Sequence, residues 1–363
     1  MNKNEKKLLT VLGKNPEFSA KELTNHTPYK WESSVARKIK TFKEQKYIMG
    51  PSYFLDCGKL SKNPIRKLMC FIELDQPQKT VMDYLQLIKP LEWTYPVLSS
   101  RKELLGLGIL SSNDIEVEAL FHLLKMYGII TDYTIRVRPH KLILENPNFF
   151  GDSVPSLDAL CDPCEFPDIS CGCHTTEWTQ CDIRVLSYLH GNTEKTNLID
   201  IMRKEKQVHD KKWGYDQIKY AYRKMCENNL IEKIYFVHPY PLHECADFYL
   251  FLKTDDINTT KNIVYNFGRD CRIHREYTLC DKWGLIGCIC HPLFVVDLLH
   301  KLDQIPEITE KELFHLRSYP PGASFVGQHS RFDCFDIDTQ TLEYPYHEFR
   351  EKILVKLEND GFK

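Results

Sequence analysis

Residues 4–15, NEKKLLTVLGKN, return at 181–192 as CDIRVLSYLHGN, with Leu8, Leu9 and Leu12 falling on Val185, Leu186 and Leu189. Glu44–Ile48 falls on Glu227–Ile231, and Arg101–Leu110 on Leu279–Cys288, which aligns Gly106 with Gly284. The offset grows from 177 at the first match to 183 at the second. The second copy is therefore expected to carry about six extra residues, between its second and third helices. A period this long marks duplicated domains and not a solenoid, whose units are far shorter. Whatever the first copy folds into, the second must fold into as well.

Each copy reads as a three-helix head followed by a β-α-β-β-α-β body. Leu8, Leu9 and Leu12 have helical spacing, and Asn15-Pro16 ends that helix. Ser19 with Glu22 three residues on forms a capping box for a short second helix through Asn25. A third helix is predicted over Tyr29–Gln45, with Val35, Ile39 and Phe42 inward and Lys30, Ser33, Ser34, Arg37 and Lys38 outward. Residues 48–60 read as a two-stranded wing turning at Gly50-Pro51. The first body follows as strand 68–74, helix 80–88, strands 94–98 and 104–110, helix 115–127 and strand 132–138. The second repeats it as strand 247–253, helix 259–267, strands 272–278 and 284–290, helix 293–302 and strand 312–318. Residues 319–363 match nothing in the first copy and end in a predicted helix near 347–357.

The net charge of −2 conceals an asymmetry. Residues 1–67 carry 15 Lys/Arg against 6 Asp/Glu, residues 181–238 carry 11 against 8, and residues 151–180 carry 6 acidic residues and no basic one. A basic head on a near-neutral chain is the footprint of phosphate-backbone contact, or else a solvated helical face. No apolar run approaches the roughly 18 residues of a membrane span. The start MNKNEKK leads into an amphipathic helix with no signal-peptide core, so a cytoplasmic location is expected, where cysteines stay reduced.

The stretch Ser33–Ile48, SSVARKIKTFKEQKYI, resembles the recognition helix and following turn of the leucine-responsive/AsnC regulators. There a serine-rich start precedes a Val, an Arg/Lys pair, an Ile and a turn closing on Ile. Leu8-Leu9 with Asn15-Pro16 resembles that family's first helix. The resemblance implies an α+β chain: two winged helix-turn-helix heads, each followed by a ferredoxin-like body. The expected division is a first head at 1–66, first body at 67–150, Cys-rich linker at 151–180, second head at 181–240, second body at 241–320 and C-terminal extension at 321–363. It further implies a transcriptional regulator that binds double-stranded DNA and assembles through its bodies, with an asymmetric two-half-site operator because the heads differ. Short polar residues enter the major groove and base-edge donors follow them. Ser33 and Ser34 meet the first need and Arg37 and Lys38 the second, while Lys40 and Lys43 are placed to reach phosphates. In the second head Lys219, Tyr220, Arg223 and Lys224 supply the polar face, behind Asp216-Gln217. The family's Gly-x-x-Asp effector motif is not kept at Ser100–Leu104 or Thr278–Lys282.

Between the copies lies Cys161-x2-Cys164-x6-Cys171-Gly-Cys173-His174. Thiolates at such spacing suit a structural zinc; an iron–sulfur cluster or redox-sensing free thiols are the alternatives, and spacing does not separate zinc from iron. Cys271, Cys280, Cys288, Cys290 and His291 fall on strands of the second body and read as core packing, with a metal or thiol switch as the alternative; Cys57, Cys70, Cys226, Cys245 and Cys334 are isolated and read as packing. Two other functions remain open. The siroheme decarboxylases share the head-plus-body layout, and His274–Leu279, HREYTL, resembles their His/Arg and Tyr-Asn-Leu strand, with Thr278 in place of the Asn. A non-catalytic adaptor binding proteins through its bodies is the third reading. Nothing resembles a Walker loop, a dinucleotide fingerprint or a Ser-His-Asp arrangement.

Overall fold

In the computed structural model the described residues are 1–99, 102–190, 196–208, 213–316 and 332–362. The sequence matches at Ser100-Arg101 and the expected end of the last strand at Ser318 lie outside them. The first head is α1 (Lys3–Lys14), α2 (Ala20–His26), α3 (Glu32–Glu44) and β1 (Ile48–Leu55), followed by the short helix α4 (Cys57–Leu60). Capping boxes start the first two helices. Asn2 and Glu5 exchange backbone-to-side-chain hydrogen bonds at 2.9 and 3.0 Å, and Ser19 and Glu22 do the same at 2.7 and 3.2 Å. Leu8, Leu9, Leu12, Val35 and Phe42 are buried together, as their spacing requires.

The expected self-contained wing is not what forms. β1 does not turn at Gly50-Pro51 but runs through it, and its partner is β7 (Ile231–Val237) of the second copy. The pairing is antiparallel, from Ile48↔Val237 to Leu55↔Ile231, with a register shift between Met49 and Ser52. Pro51 has no N–H to give a ladder, which is why it sits at the irregularity. Gly50 takes φ +107°, and a Cβ there would lie 3.1 Å from the Ile234 carbonyl oxygen. By the repeat, Ile48 corresponds to Ile231, so the two end pairs exchange under a two-fold rotation. Each head lends its strand to the other: Val237 closes the first head's core, and Leu55 packs with Ile231 in the second's.

The first body is β2 (Arg66–Leu74), α5 (Gln78–Leu85), β3 (Leu91–Val97), β4 (Leu104–Ser111), α6 (Asp114–Met126) and β5 (Ile130–Arg138), in sheet order β3-β4-β2-β5. After β6 (Ile143–Glu145) the second head comprises α7 (Gln180–Leu189), α8 (Leu198–Val208), α9 (Tyr215–Glu227) and β7. Four of the extra residues fall in α8 itself, which has 11 residues where α2 has 7, and not between the second and third helices as expected. The second body is β8 (Ala246–Thr254), α10 (Ile257–Asn266), β9 (His274–Cys280), β10 (Trp283–Cys290), α11 (Pro292–Asp303) and β11 (Ile308–His315), in order β11-β8-β10-β9 with β6 added at the β9 edge.

Alternate strand residues divide between two faces. Leu68, Cys70 and Ile72 of β2 face their helices, as do Phe248, Leu250 and Leu252 of β8. The opposite faces meet each other. Phe71 stacks on Phe314 at 3.6 Å between ring centroids and meets Phe251 edge-on at 5.8 Å. Arg136 lies 4.3 Å over the Trp283 ring and pairs with Glu312 at 2.8 Å. The bodies thus pair within one chain. The same faces correct the alignment of Gly106 with Gly284. The missing Cβ of Gly106 points at Phe71 and Trp93, that of Gly284 at Val264 and Thr260 of α10. Opposite faces mean a one-residue slip; Gly108, under Trp93, matches Gly287, under Glu276.

The C-terminal segment returns to the first body through β12 (Phe335–Asp336), β13 (Thr341–Leu342) and α12 (Tyr346–Asn359). Tyr84 donates to Asp360 at 2.7 Å, and Phe349, Ile353 and Leu357 are buried. Among the described residues no helix is long and apolar enough to cross a membrane.

At the β6–β9 edge a buried polar knot fastens the linker to the second body. Arg275, 2% exposed, donates to Glu145 at 2.7 and 3.0 Å and to the carbonyls of Tyr265 and Phe267 at 2.6 Å, while Tyr277 donates to Glu145 at 3.0 Å. Removing one partner of such a pair strands the other charge. Glu145→Ala should therefore cost about 3 kcal/mol, read from the urea midpoint; a loss below about 1 kcal/mol would mean that Arg275 rehydrates. Beside it, burial and, second, the neighbouring His238 ring push the His274 imidazole down to about 3. An unfolded histidine takes its proton near pH 6.5 and the folded one does not. His274 thus contributes stability above about pH 6.5 that is lost as pH falls towards 3. In NMR titration of the folded protein its ring should stay neutral at pH 5; a midpoint near 6.5 refutes this burial.

Candidate nucleic-acid interface

The outward side of α3 is open to solvent. Ser33, Arg37 and Lys40 are exposed and follow one another at helical spacing, with Ser34 half-buried beside them; α3 starts at Glu32 and not at Tyr29 as expected, so Lys30, also exposed, precedes the helix. Lys40 sits 3.9 Å from Glu44, both largely in water, so that contact holds it only weakly. Lys38 is different. Its ammonium lies 2.7 Å from Glu5 on α1, and this hydrogen bond raises the Lys38 pKa and lowers that of Glu5. Lys38 thus fastens α3 to α1 in place of the expected base-edge role. Lys43 is half-buried, 6.0 Å from the Tyr235 ring centre. Sequence periodicity did not single out Trp31, 71% exposed at the α3 N-cap with no side-chain cap bond. An isolated aromatic outside a helical stripe leaves no periodic signal.

In the second head Lys219, Tyr220 and Arg223 are exposed along α9, behind an equally exposed Asp216 in the first turn. Arg223 lies 3.6 Å from Glu227 and 5.5 Å from the Tyr220 ring. Lys224 turns inward, 2.8 Å from Asp182 of α7 and 2.7 Å from the Glu177 carbonyl, under the Trp178 ring. Of its four sequence candidates, three remain available to a partner.

The linker cysteines are not drawn together. Cys161 is half-buried on the second body, and the Cys164 thiol donates to Asn262 of α10 at 3.3 Å. Cys171 donates to the Pro139 carbonyl at 3.4 Å, beside α4, while Cys173 is exposed. Burial pushes the Cys161, Cys164 and Cys171 thiols up. Among the described residues no group of three or more His, Cys, Asp or Glu could hold a metal ion. The expected zinc or iron–sulfur ligand set therefore does not fit this arrangement. Cys288 and Cys290 are buried in the helix-facing core and Cys280 in the inter-body core.

One large cleft, about 1100 Å³, opens between the α1–α2 turn, the end of β1, the end of β5 and the outward side of α9. Lys67 and Arg138 lie at its inner side and Lys14, Lys219 and Arg223 at its mouth. Sequence reading missed it because its walls come from both heads and the first body, far apart along the chain.

No protein-family model matches the sequence, and no curated protein matches it. Among solved structures, the siroheme decarboxylase NirDL in complex with an iron-uroporphyrin III analogue aligns over 98% of this chain and 100% of its own, with a TM-score of 0.50 and 9% identity. NirDL without that analogue aligns over 98% and 99%, with a TM-score of 0.49 and 10% identity. The Mycobacterium tuberculosis leucine response regulatory protein LrpA aligns over 38% of this chain and 92% of its own, with a TM-score of 0.30 and 13% identity. At such identities the whole-chain likeness to NirDL shows a shared fold alone: winged-helix heads joined to ferredoxin-like bodies along the length of the chain.

Proposed function

We propose that this chain is a DNA-binding transcriptional regulator of leucine-responsive/AsnC type. The observation that carries the reading is the solvent-open row Ser33, Arg37 and Lys40 on α3, the third helix of a strongly basic head, with the exposed Lys30 just before its start. Short side chains at the helix start admit it to a major groove, Arg37 offers a bidentate donor to a guanine edge, and Lys30 and Lys40 reach phosphates. The two-fold relation of the wing strands presents α3 and α9 as a pair within one chain, so an operator of two unequal half-sites suits it. Asp216 in the first turn of α9 makes the second head the weaker contact.

A second reading, a tetrapyrrole-modifying enzyme, is favoured by the cationic cleft and by a fold shared along the whole length with NirDL. Against it, Arg275 and Tyr277 on the resembling strand are committed to Glu145, and burial keeps His274 neutral. That reading expects a new Soret-region band on mixing with uroporphyrin or its iron complex; an unaltered spectrum would remove it.

For the regulator, fluorescence anisotropy on duplexes selected from a random pool should give steeply salt-dependent binding. Arg37→Ala should cost about 1–3 kcal/mol and relax selectivity at one base pair. Lys40→Ala should weaken all duplexes alike and lower the salt slope by about 1. Unchanged affinity in both variants would take the first head out of the interface.

A further inference from the structure

The inner side of the cleft holds an arrangement that is unfavourable as it stands. Lys67 of β2 and Arg138 of β5 are direct cross-strand partners on one sheet face. Like charges placed so are destabilising. The carboxylate nearest Lys67, Glu92, is 3.7 Å away and is shared with His190 at 2.8 Å. The Nε of Arg138 is buried with no hydrogen-bond partner. Glu276 on β9 attracts both cations, Arg138 more than Lys67, while burial pushes its carboxyl up. Two residues back on β5, Arg136 faces Met69 across the strands and has both Glu312 and the Trp283 ring, although its Nε too is buried without a partner. Around this pair the cleft carries eight Lys/Arg against four Asp/Glu, so the lining does not neutralise itself. Leu55, Ile65 and Leu230 add an apolar wall at the same end.

We propose that the cleft is a binding site for a small polyanion, a molecule bearing two or more phosphoryl or carboxylate groups, seated on Lys67 and Arg138 with Lys14 and Lys219 closing over it. The ligand supplies the counter-charge that the sheet lacks and accepts from the orphaned Nε of Arg138. The volume exceeds that of an inorganic ion and suits a metabolite-sized molecule. Lys219 and Arg223 belong both to this mouth and to the outward side of α9, so occupancy draws the second head's cations away from DNA. That coupling rests on the regulator reading; the site itself does not.

The test is calorimetry on the full chain with inorganic triphosphate and, separately, with citrate, at matched ionic strength. At least one should bind with Kd below about 1 mM, and which one does separates phosphoryl from carboxylate recognition. Lys67→Gln and Arg138→Gln should each weaken binding at least about tenfold. Lys14→Gln, at an exposed position that leaves the fold intact, should weaken it about two- to threefold. Melting curves supply a readout that a structural role would not give. In anion-free buffer Lys67→Gln should melt no lower than the parent, and only the parent should gain stability with the ligand. No binding of either probe up to about 10 mM, or binding indifferent to Lys67 and Arg138, overturns the site. Binding that leaves duplex affinity unchanged overturns the coupling alone.

Discussion

The two-stranded ribbon of β1 and β7 is the contact on which the rest of the arrangement depends. A pair of strands with nothing else beside them is marginal in water, and neither head has a second strand of its own. Each wing strand is stable because the other copy completes it, and each carries an apolar residue into the other's core: Val237 into the first head, Leu55 beside the second. The heads therefore fold as an interlocked pair, related by the rotation that exchanges Ile48↔Val237 with Ile231↔Leu55. The bodies repeat that relation sheet against sheet, around Phe71, Phe251 and Phe314. Association that separate subunits would reach at the cost of translational and rotational freedom is here intramolecular.

Within that frame the cations of each head do two different jobs. In both copies an acid in the first turn of the first helix, Glu5 or Asp182, takes a lysine from the third, Lys38 or Lys224. The lysines are not equivalent by sequence: Lys38 is three residues past the buried Val35, and Lys224 is six past Ile218. The same fastening is made one turn apart, which leaves a different set of side chains on each outward surface. Divergence of the two outward surfaces follows from how each head is held together.

How far the sequence could be read follows the range of the interactions. Capping boxes, helical periodicity and alternating strands are local, and Ser19/Glu22, Leu8/Leu9/Leu12 and β2 stand where local spacing puts them. The wing fails as a local reading because Gly50-Pro51 has the composition of a turn, while the partner of β1 lies some 180 residues on. The Gly106 alignment fails because two glycines match in identity while the pleat sorts them to opposite faces. Close cysteine spacing suggests one cluster, yet the linker passes from the second body to α4, and Cys164 and Cys171 meet different neighbours on the way. The outward row on α3 was legible; the commitment of Lys38 was not, since Glu5 is 33 residues away in sequence.

The repeat also explains why the cleft's chemistry occurs once. Lys67 precedes Phe71 by four residues on the inter-body face, and the residue four before Phe251 is Asp247. Where one copy sets a cation the other sets a carboxyl, pushed up to about 7 chiefly by burial. Trp93 over Gly108 likewise gives way to Glu276 over Gly287. The backbone is kept in both copies, because the apolar pattern that fixes it is kept, while the polar residues at the ends of the shared seam have taken opposite sign. An anion drawn to the Lys67 end would be repelled at the Asp247 end whenever that carboxyl ionises. A fold of near two-fold symmetry thereby acquires a polarity that the packing of its core neither requires nor forbids.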